Sequence, residues 1–401
     1  MSPLTISDPR ERALVRTADL ALSAAAIIGR PLRARRVLPA PGRVLLLRLE
    51  RIGDLLMTAP AIADVRANAP HAQIDLVVGS WNAQLAAALP SVSRVETLDA
   101  AWLAREGAGR GLAALLGSAL KWRARQYDLA INFEPDIRSN LMIAAAGARR
   151  TAGFVNGGGG PLLDVALEHD ARAHTADNAR RLVARVFRAE HAAALPHRLI
   201  TLPETAEREA ARRLPPPGRR PLIGVHASGG RAIKQWQPER FAEVAHRLIR
   251  ERDARIVLTG SAGDRAIVDA VKAHLPAHAV LDLSGDVDLL TLAAVIARFD
   301  LLVSGDTGPM HLAAAVGTPV VAVFGPSDPA RYSPRGIHDR VVRVDLPCSP
   351  CNRIRLPPRR CVGHTPDCLA SIASARVYEA AVAVLDAAAP RVTPVARDMT
   401  A

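Results

Sequence analysis

Residues 302–326, "LVSGDTGPMHLAAAVGTPVVAVFGP", set Asp306, Thr307, Gly308, Met310 and His311 directly after an apolar run. Pro309 suits the first turn of a helix, because its missing N–H would be unbonded there anyway. Gly317 suits the cap at the other end. The pattern predicts strand, polar turn, short helix, strand. Free amides near Thr307, Gly308 and Met310, backed by the positive end of the helix dipole, suit a phosphate. The same residues also fit a plain capped helix with Asp306 or Thr307 at its N-cap. A second turn, "GVHASGGRAIKQWQPERF" (224–241), holds Ser228 and Lys234 ahead of a helix beginning near Pro238. Lys234 is one of three lysines against 49 arginines. A compact ammonium makes a point contact on a diphosphate where a broad guanidinium does not, so the choice of lysine here points to function. A third turn, in "LERIGDLLMTAPAIADVR" (49–66), places Asp54 at a helix start. A carboxylate there either caps the helix or acts as a general base kept ionised by the dipole. "NFEPDIRSN" (132–140) puts Glu134, Asp136 and Arg138 after another strand, as an acceptor side or as ordinary loop charges.

These turns need strands to hold them. Strands are predicted at 43–50, 73–79, 94–99 and 127–133, with helices at 54–67, 112–125 and 137–146 between them. After "LPPPGRRP" (214–221) the alternation restarts, with strands at 221–227, 255–260, 279–285, 299–305 and 319–325. Strands alternating with helices imply a mostly parallel sheet covered on both faces. The expected fold class is α/β: two Rossmann-like domains in tandem, facing a central cleft that would be the active site. The expected boundaries are a basic extension at 1–40, domains at 41–200 and 221–385, a linker at 201–220 and a tail at 386–401. "NGGGG" (156–160) reads as a loop. No G-x-G-x-x-G follows the first strand, which argues against a dehydrogenase.

Composition narrows the partners. A length of 401 residues favours two domains. A formal charge of +13 favours acidic partners: phosphorylated substrates, an anionic membrane surface or nucleic acid. No aromatic-interleaved basic ladder is present, so nucleic acid is not expected. No apolar run approaches the roughly 18–20 residues of a membrane-spanning helix. From Leu14 to Ile28, apolar residues recur at helical spacing (Leu14, Ala18, Leu22, Ala25, Ala26) among Arg10, Arg12, Arg16 and Arg30. Such a helix either packs on the first domain or lies on an anionic membrane. Cys348, Cys351, Cys361 and Cys368 are spaced C-x2-C-x9-C-x6-C. The spacing allows a structural four-thiolate zinc site, reduced packing thiols or a disulfide. With all four cysteines in one short stretch, no disulfide-stapled exported protein is indicated, and a cytoplasmic location is expected.

Together the segments resemble glycosyltransferase family 9, the ADP-heptose:lipopolysaccharide heptosyltransferases. "RIGDLLMTAPAIADVRANAP" is similar to the family's N-terminal segment, with Asp54 at the position of its base. "SGDTGPMHLAAAVGTPVVAVFGPSDP" is similar to the family's most specific motif, and Lys234-Gln235-Trp236 matches its K-x-W segment. The resemblance implies a GT-B fold and inverting transfer that needs no metal or other cofactor. It implies an ADP-sugar donor on the C-terminal domain and a lipid-linked or phosphorylated glycan acceptor on the N-terminal one, at the inner face of the inner membrane. By the same resemblance, Lys234, Thr307, Gly308 and the Ser228 turn would hold the diphosphate. Asp306 would contact the transferred sugar, Asp264 the ribose, and His311 would lie close to the nucleotide. The base would sit against backbone near Val287. Two alternatives share these features: the same scaffold with another nucleotide sugar and glycan, and a nucleotide-sugar epimerase. A non-enzymatic module would bind ADP and turn nothing over.

Overall fold

The computed structural model describes residues 4, 6, 8–29, 40–103, 109–188, 197–216 and 218–387. Arg30 of the expected basic extension and the tail residues 388–401 lie outside them, as do the side chains of Ala25 and Ala26. The chain divides into two compact units, Met1–Thr205 and Ala206–Ala401. The expected linker at 201–220 contains the helix Glu204–Arg213.

The first unit carries β1 (Arg43–Arg48), β2 (Gln73–Val78), β3 (Arg94–Thr97), β4 (Leu129–Asn132), β5 (Arg150–Phe154) and β6 (Val165–Leu167). They pair in parallel in the order β3-β2-β1-β4-β5-β6. The second unit carries β7 (Leu222–His226), β8 (Arg255–Leu258), β9 (Val280–Asp282), β10 (Leu301–Gly305), β11 (Val320–Val323) and β12 (Arg340–Val342). Its order is β12-β11-β10-β7-β8-β9, again all parallel. Outward from β7 this is the same winding as the first sheet. Both are doubly wound sheets, as the alternation predicts. β5, β6 and β12 were not foreseen: β5 contains Gly153, and the other two span three residues each, too short for a pattern.

The central strands read as near-continuous apolar runs because both faces are covered. In the first unit Leu45, Leu47, Trp122 and Met142 share one core. In the second, Ile223, Val225, Trp236 and Phe241 do the same. Strand order reverses between β1 and β4, and again between β7 and β10. At such a reversal the connections leave in opposite directions and open a crevice at the carboxyl ends of the strands.

The N-terminal helix Pro9–Gly29 packs on the first unit through a face that hydropathy alone misassigns. Val15 and Asp19 are buried, whereas Leu14 is 72% exposed and Leu20 58%. The Asp19 carboxylate accepts the Gly159 N–H at 2.6 Å. Val15 occupies the place a Cβ at Gly158 would take, 2.3 Å from its Cγ1. Gly158 and Gly159 have φ of +91° and +77°, which side-chain-bearing residues rarely adopt. The "NGGGG" loop is thus a seat for this helix.

Gly224, inside β7, has no room for a side chain: a Cβ there would lie 2.2 Å from the Phe299 ring. Gly224→Ala should destabilise the protein by roughly 1–3 kcal/mol through overpacking. A lower denaturation midpoint with an unchanged denaturant slope would show it; an unchanged midpoint would mean Phe299 relaxes freely.

Candidate active site

In the first unit, β1 ends in a buried guanidinium. Arg48 Nη1 donates to the Phe133 carbonyl at 2.7 Å and pairs with Glu50 at 3.0 Å. Its Nη2 lies 3.4 Å from Asp54 Oδ1. Asp54 stands in the first turn of the helix Ile52–Asn68, where Oδ2 accepts the Arg51 N–H at 3.1 Å. It therefore stabilises the turn and still exposes about a quarter of its side chain (26%). Sequence reasoning missed Arg48, although one charge inside "RVLLLRLE" is a visible anomaly for a buried strand.

The three expected acceptor-side residues separate. Glu134 is sealed in. It takes the N–H groups of Leu49 and Glu50 and the Ser139 hydroxyl, and so braces the end of β1 against the end of β4. Burial pushes its pKa up, against Arg48 and Ser139. It has no face left for an acceptor. Asp136 caps the helix Ile137–Ala145 by accepting the Arg138 N–H at 2.7 Å, and its carboxylate also holds the Arg138 guanidinium. Arg138 lies over Trp102, 4.4 Å from the ring centroid, and 3.8 Å from Glu11 of the N-terminal helix.

In the second unit the register of the paired strands sets His226 beside Ser304, so the turns leaving β7 and β10 are neighbours. Lys234 Nζ lies 2.6 Å from Asp306 Oδ2 and ties one turn to the other. Trp236, fully buried and edge-on to Phe241 at 4.8 Å, anchors the segment that carries the lysine. Thr307 occupies the N-cap position of the helix Gly308–Val316 but makes no capping hydrogen bond. Its hydroxyl turns back to Ser304 Oγ at 3.1 Å. With Asp306 held by Lys234, neither candidate cap serves the helix amides, so the plain capped helix is not what forms. Met310 is fully buried, backbone included, and His311 is buried as well.

Ser228 is buried and hydrogen-bonded to His226 Nε2 at 2.9 Å. The other ring nitrogen lies 3.0 Å from Thr259 Oγ1. Burial drives the His226 pKa down to about 4, against Asp264 and the Thr259 backbone, so the ring is neutral at pH 7. Asp264 accepts the Ser261 N–H at 2.7 Å and its hydroxyl at 2.6 Å. Val287 is half-buried in the loop after β9. Gly285 of that loop lies against Ala262, so the loops bearing Asp264 and Val287 adjoin.

The four cysteines lie near one another, close enough for Cys348, Cys351 and Cys361 to act on the charge of Cys368. All four are free thiols, and no three His, Cys, Asp or Glu side chains among the described residues are grouped to hold a metal ion. The four-thiolate site and the disulfide that the spacing allows are not formed. The Cys351 N–H and the Ser349 hydroxyl tie their loop to the Pro326 and Gly325 carbonyls. Cys368 is buried on the helix Asp367–Ala370, and burial, with the neighbouring Cys351, Cys348 and Cys361, pushes its thiol up to about 11.

The family model for glycosyltransferase family 9 (heptosyltransferase) matches residues 116–357, more than half of the chain. The chain belongs to this family. It is 28% identical to lipooligosaccharide heptosyltransferase 2 of Haemophilus ducreyi, over 75% of this chain and 88% of the relative. It is 29% identical to lipopolysaccharide heptosyltransferase 1 of Pseudomonas aeruginosa, over 77% and 86%. The solved structure of the E. coli ADP-heptose lipopolysaccharide heptosyltransferase II superposes with a TM-score of 0.67 at 24% identity, covering 86% of this chain and 98% of that one. The fold is of GT-B type and the chain is a glycosyltransferase. Within this family-9 chain, both clusters stand at strand-order reversals.

The depressed His226 pKa has a consequence for stability. The unfolded chain protonates this histidine near pH 6.5 and the folded one near 4. Between those values the unfolded state binds more protons, so acidification through that window destabilises the fold, by on the order of 3 kcal/mol. His226→Gln should flatten the slope of stability against pH between 6.5 and 4; an unchanged slope would assign the effect to other groups.

Proposed function

We propose that this glycosyltransferase moves a heptose from an ADP-sugar to a lipopolysaccharide-core acceptor, with inversion and without a metal. The observation that carries the reading is the Lys234–Asp306 pair at the uncapped start of the helix Gly308–Val316. The relatives' names, all heptosyltransferases, support the sugar and the acceptor class. The reading assigns donor chemistry to the second unit. Lys234 and the Gly308 amide receive the diphosphate, with Thr307 and Ser228 beside them. Asp306 orients the lysine and meets the sugar. Asp264 takes the ribose, the base lies along Val287, and His311 stays close to the nucleotide. The positive charge that a metal supplies elsewhere comes here from the lysine and the helix end.

Acceptor chemistry falls to the first unit. Asp54 takes the proton of the incoming hydroxyl. That oxygen bonds to the anomeric carbon as the bond to the diphosphate oxygen breaks on the opposite face. The electron pair leaves with ADP. Arg48 orients Asp54 from below.

Substitutions at two positions separate the roles. Lys234→Ala should lose most ADP affinity and turnover, with Lys234→Arg restoring little. Asp54→Asn should bind ADP normally while transfer falls by about 10²–10⁴. Nucleotide titrations and turnover of ADP-heptose with a core acceptor check both. Wild-type ADP affinity in Lys234→Ala, or near-normal transfer by Asp54→Asn, removes the corresponding role.

The acceptor of this reading is lipid-linked, and the N-terminal helix suits a membrane surface. Its outward side shows Leu14 and Leu20 beside Arg10, Arg12 and Arg16, and charge and apolar contact add on an anionic bilayer. Among the described residues no helix is long and apolar enough to cross a membrane. Leu14→Asp with Leu20→Asp should reduce binding to vesicles containing anionic lipid and leave turnover of a soluble acceptor intact. Unchanged vesicle binding would assign the helix to packing alone.

A further inference from the structure

We propose that His226 and Thr259 are positioning residues that aim the Ser228 hydroxyl proton at the donor diphosphate. The proposal rests on the reading of the β7–β10 junction as the donor site. Thr259, His226 and Ser228 form a buried chain of three, with both ring nitrogens engaged, at 3.0 Å and 2.9 Å. Thr259 follows β8 and His226 closes β7, so two strands of the sheet hold the chain in place.

A neutral imidazole has one N–H and one bare nitrogen. The chain can therefore run in only two directions. In the first, the Thr259 hydroxyl donates to Nδ1, Nε2–H donates to Ser228 Oγ, and the Ser228 O–H is left to donate outward. In the second, Ser228 gives its proton to Nε2 and presents only lone pairs outward. An anion accepts hydrogen bonds, so a diphosphate oxygen is bound by the first arrangement and repelled by the second. Neighbouring donors pointing the same way also polarise one another, strengthening the last bond. Thr259 is the residue that selects the direction. Without its hydroxyl, a proton on Nδ1 facing the Thr259 backbone is the better tautomer, and that tautomer draws the Ser228 proton inward.

The test compares ADP and inorganic pyrophosphate with adenosine, which lacks the phosphates. Ser228→Ala should weaken ADP and pyrophosphate binding about tenfold, the effect of one hydrogen bond to a charged group, with adenosine unaffected. Thr259→Val should do the same although Ser228 is intact, and Thr259→Ser should bind like the wild type. In a Ser228→Ala background, Thr259→Val should add nothing, because the proton it controls is gone. Melting curves identify any variant that weakens binding by failing to fold, and for Thr259→Val the Ser rescue and the adenosine control then decide. ADP affinity unchanged in Thr259→Val overturns the relay alone. So does a loss shared equally by adenosine, or one additive with Ser228→Ala. A wild-type protein that binds pyrophosphate but not ADP overturns the ADP reading, and the relay is judged on pyrophosphate. Binding of neither overturns both.

Discussion

Each sheet pairs its first strand with its fourth, β1 with β4 and β7 with β10, and the chemistry depends on that pairing. Because the strands are parallel, their carboxyl ends lie on the same edge. Because the strand order reverses between them, the following helices depart to opposite faces and leave the edge open. Arg48 reaches across one such junction to Phe133, and Glu134 reaches back to Leu49 and Glu50. At the other junction Lys234 meets Asp306.

Placing charges at a buried strand end is unfavourable unless each one is paired. The protein answers this with local, mutually satisfying groups. Arg48 is shared among a carbonyl and two carboxylates, and Glu134 takes two amides and a hydroxyl. In the second unit the start of the helix Gly308–Val316 has no side-chain cap, because its two natural caps are turned elsewhere. A helix end that has given up its caps is one that a ligand can complete.

The N-terminal helix shows how a neighbouring loop can overrule hydropathy. Leu14 and Leu22 invite burial and Asp19 argues against it, yet Asp19 is inside and Leu14 outside. The deciding group is the Gly159 N–H, which needs an acceptor, together with the hollow at Gly158 that Val15 fills. An amide that would otherwise be buried without a partner outweighs the transfer energy of one leucine.

Strand-and-helix alternation, the turn signals around Asp54, Lys234 and Asp306, and the family were legible in the sequence, because they rest on local periodicity and on residue types at fixed spacing. The motif at 302–326 marked its helix start through Pro309 and Gly317 without any knowledge of what lay beside it. The partners were not legible. That Asp54 rests on Arg48, that Glu134 is a brace and not an acceptor contact, and that Thr259 lies against His226 are all matters of which strand lies next to which. β7 and β8 are neighbours in sequence, but β7 and β10 are not, and β1 finds β4 only when the sheet closes. Hydrogen bonds and ion pairs reach about 3 Å, so their partners are chosen by strand order and register. The sequence carries those only through the whole packed core.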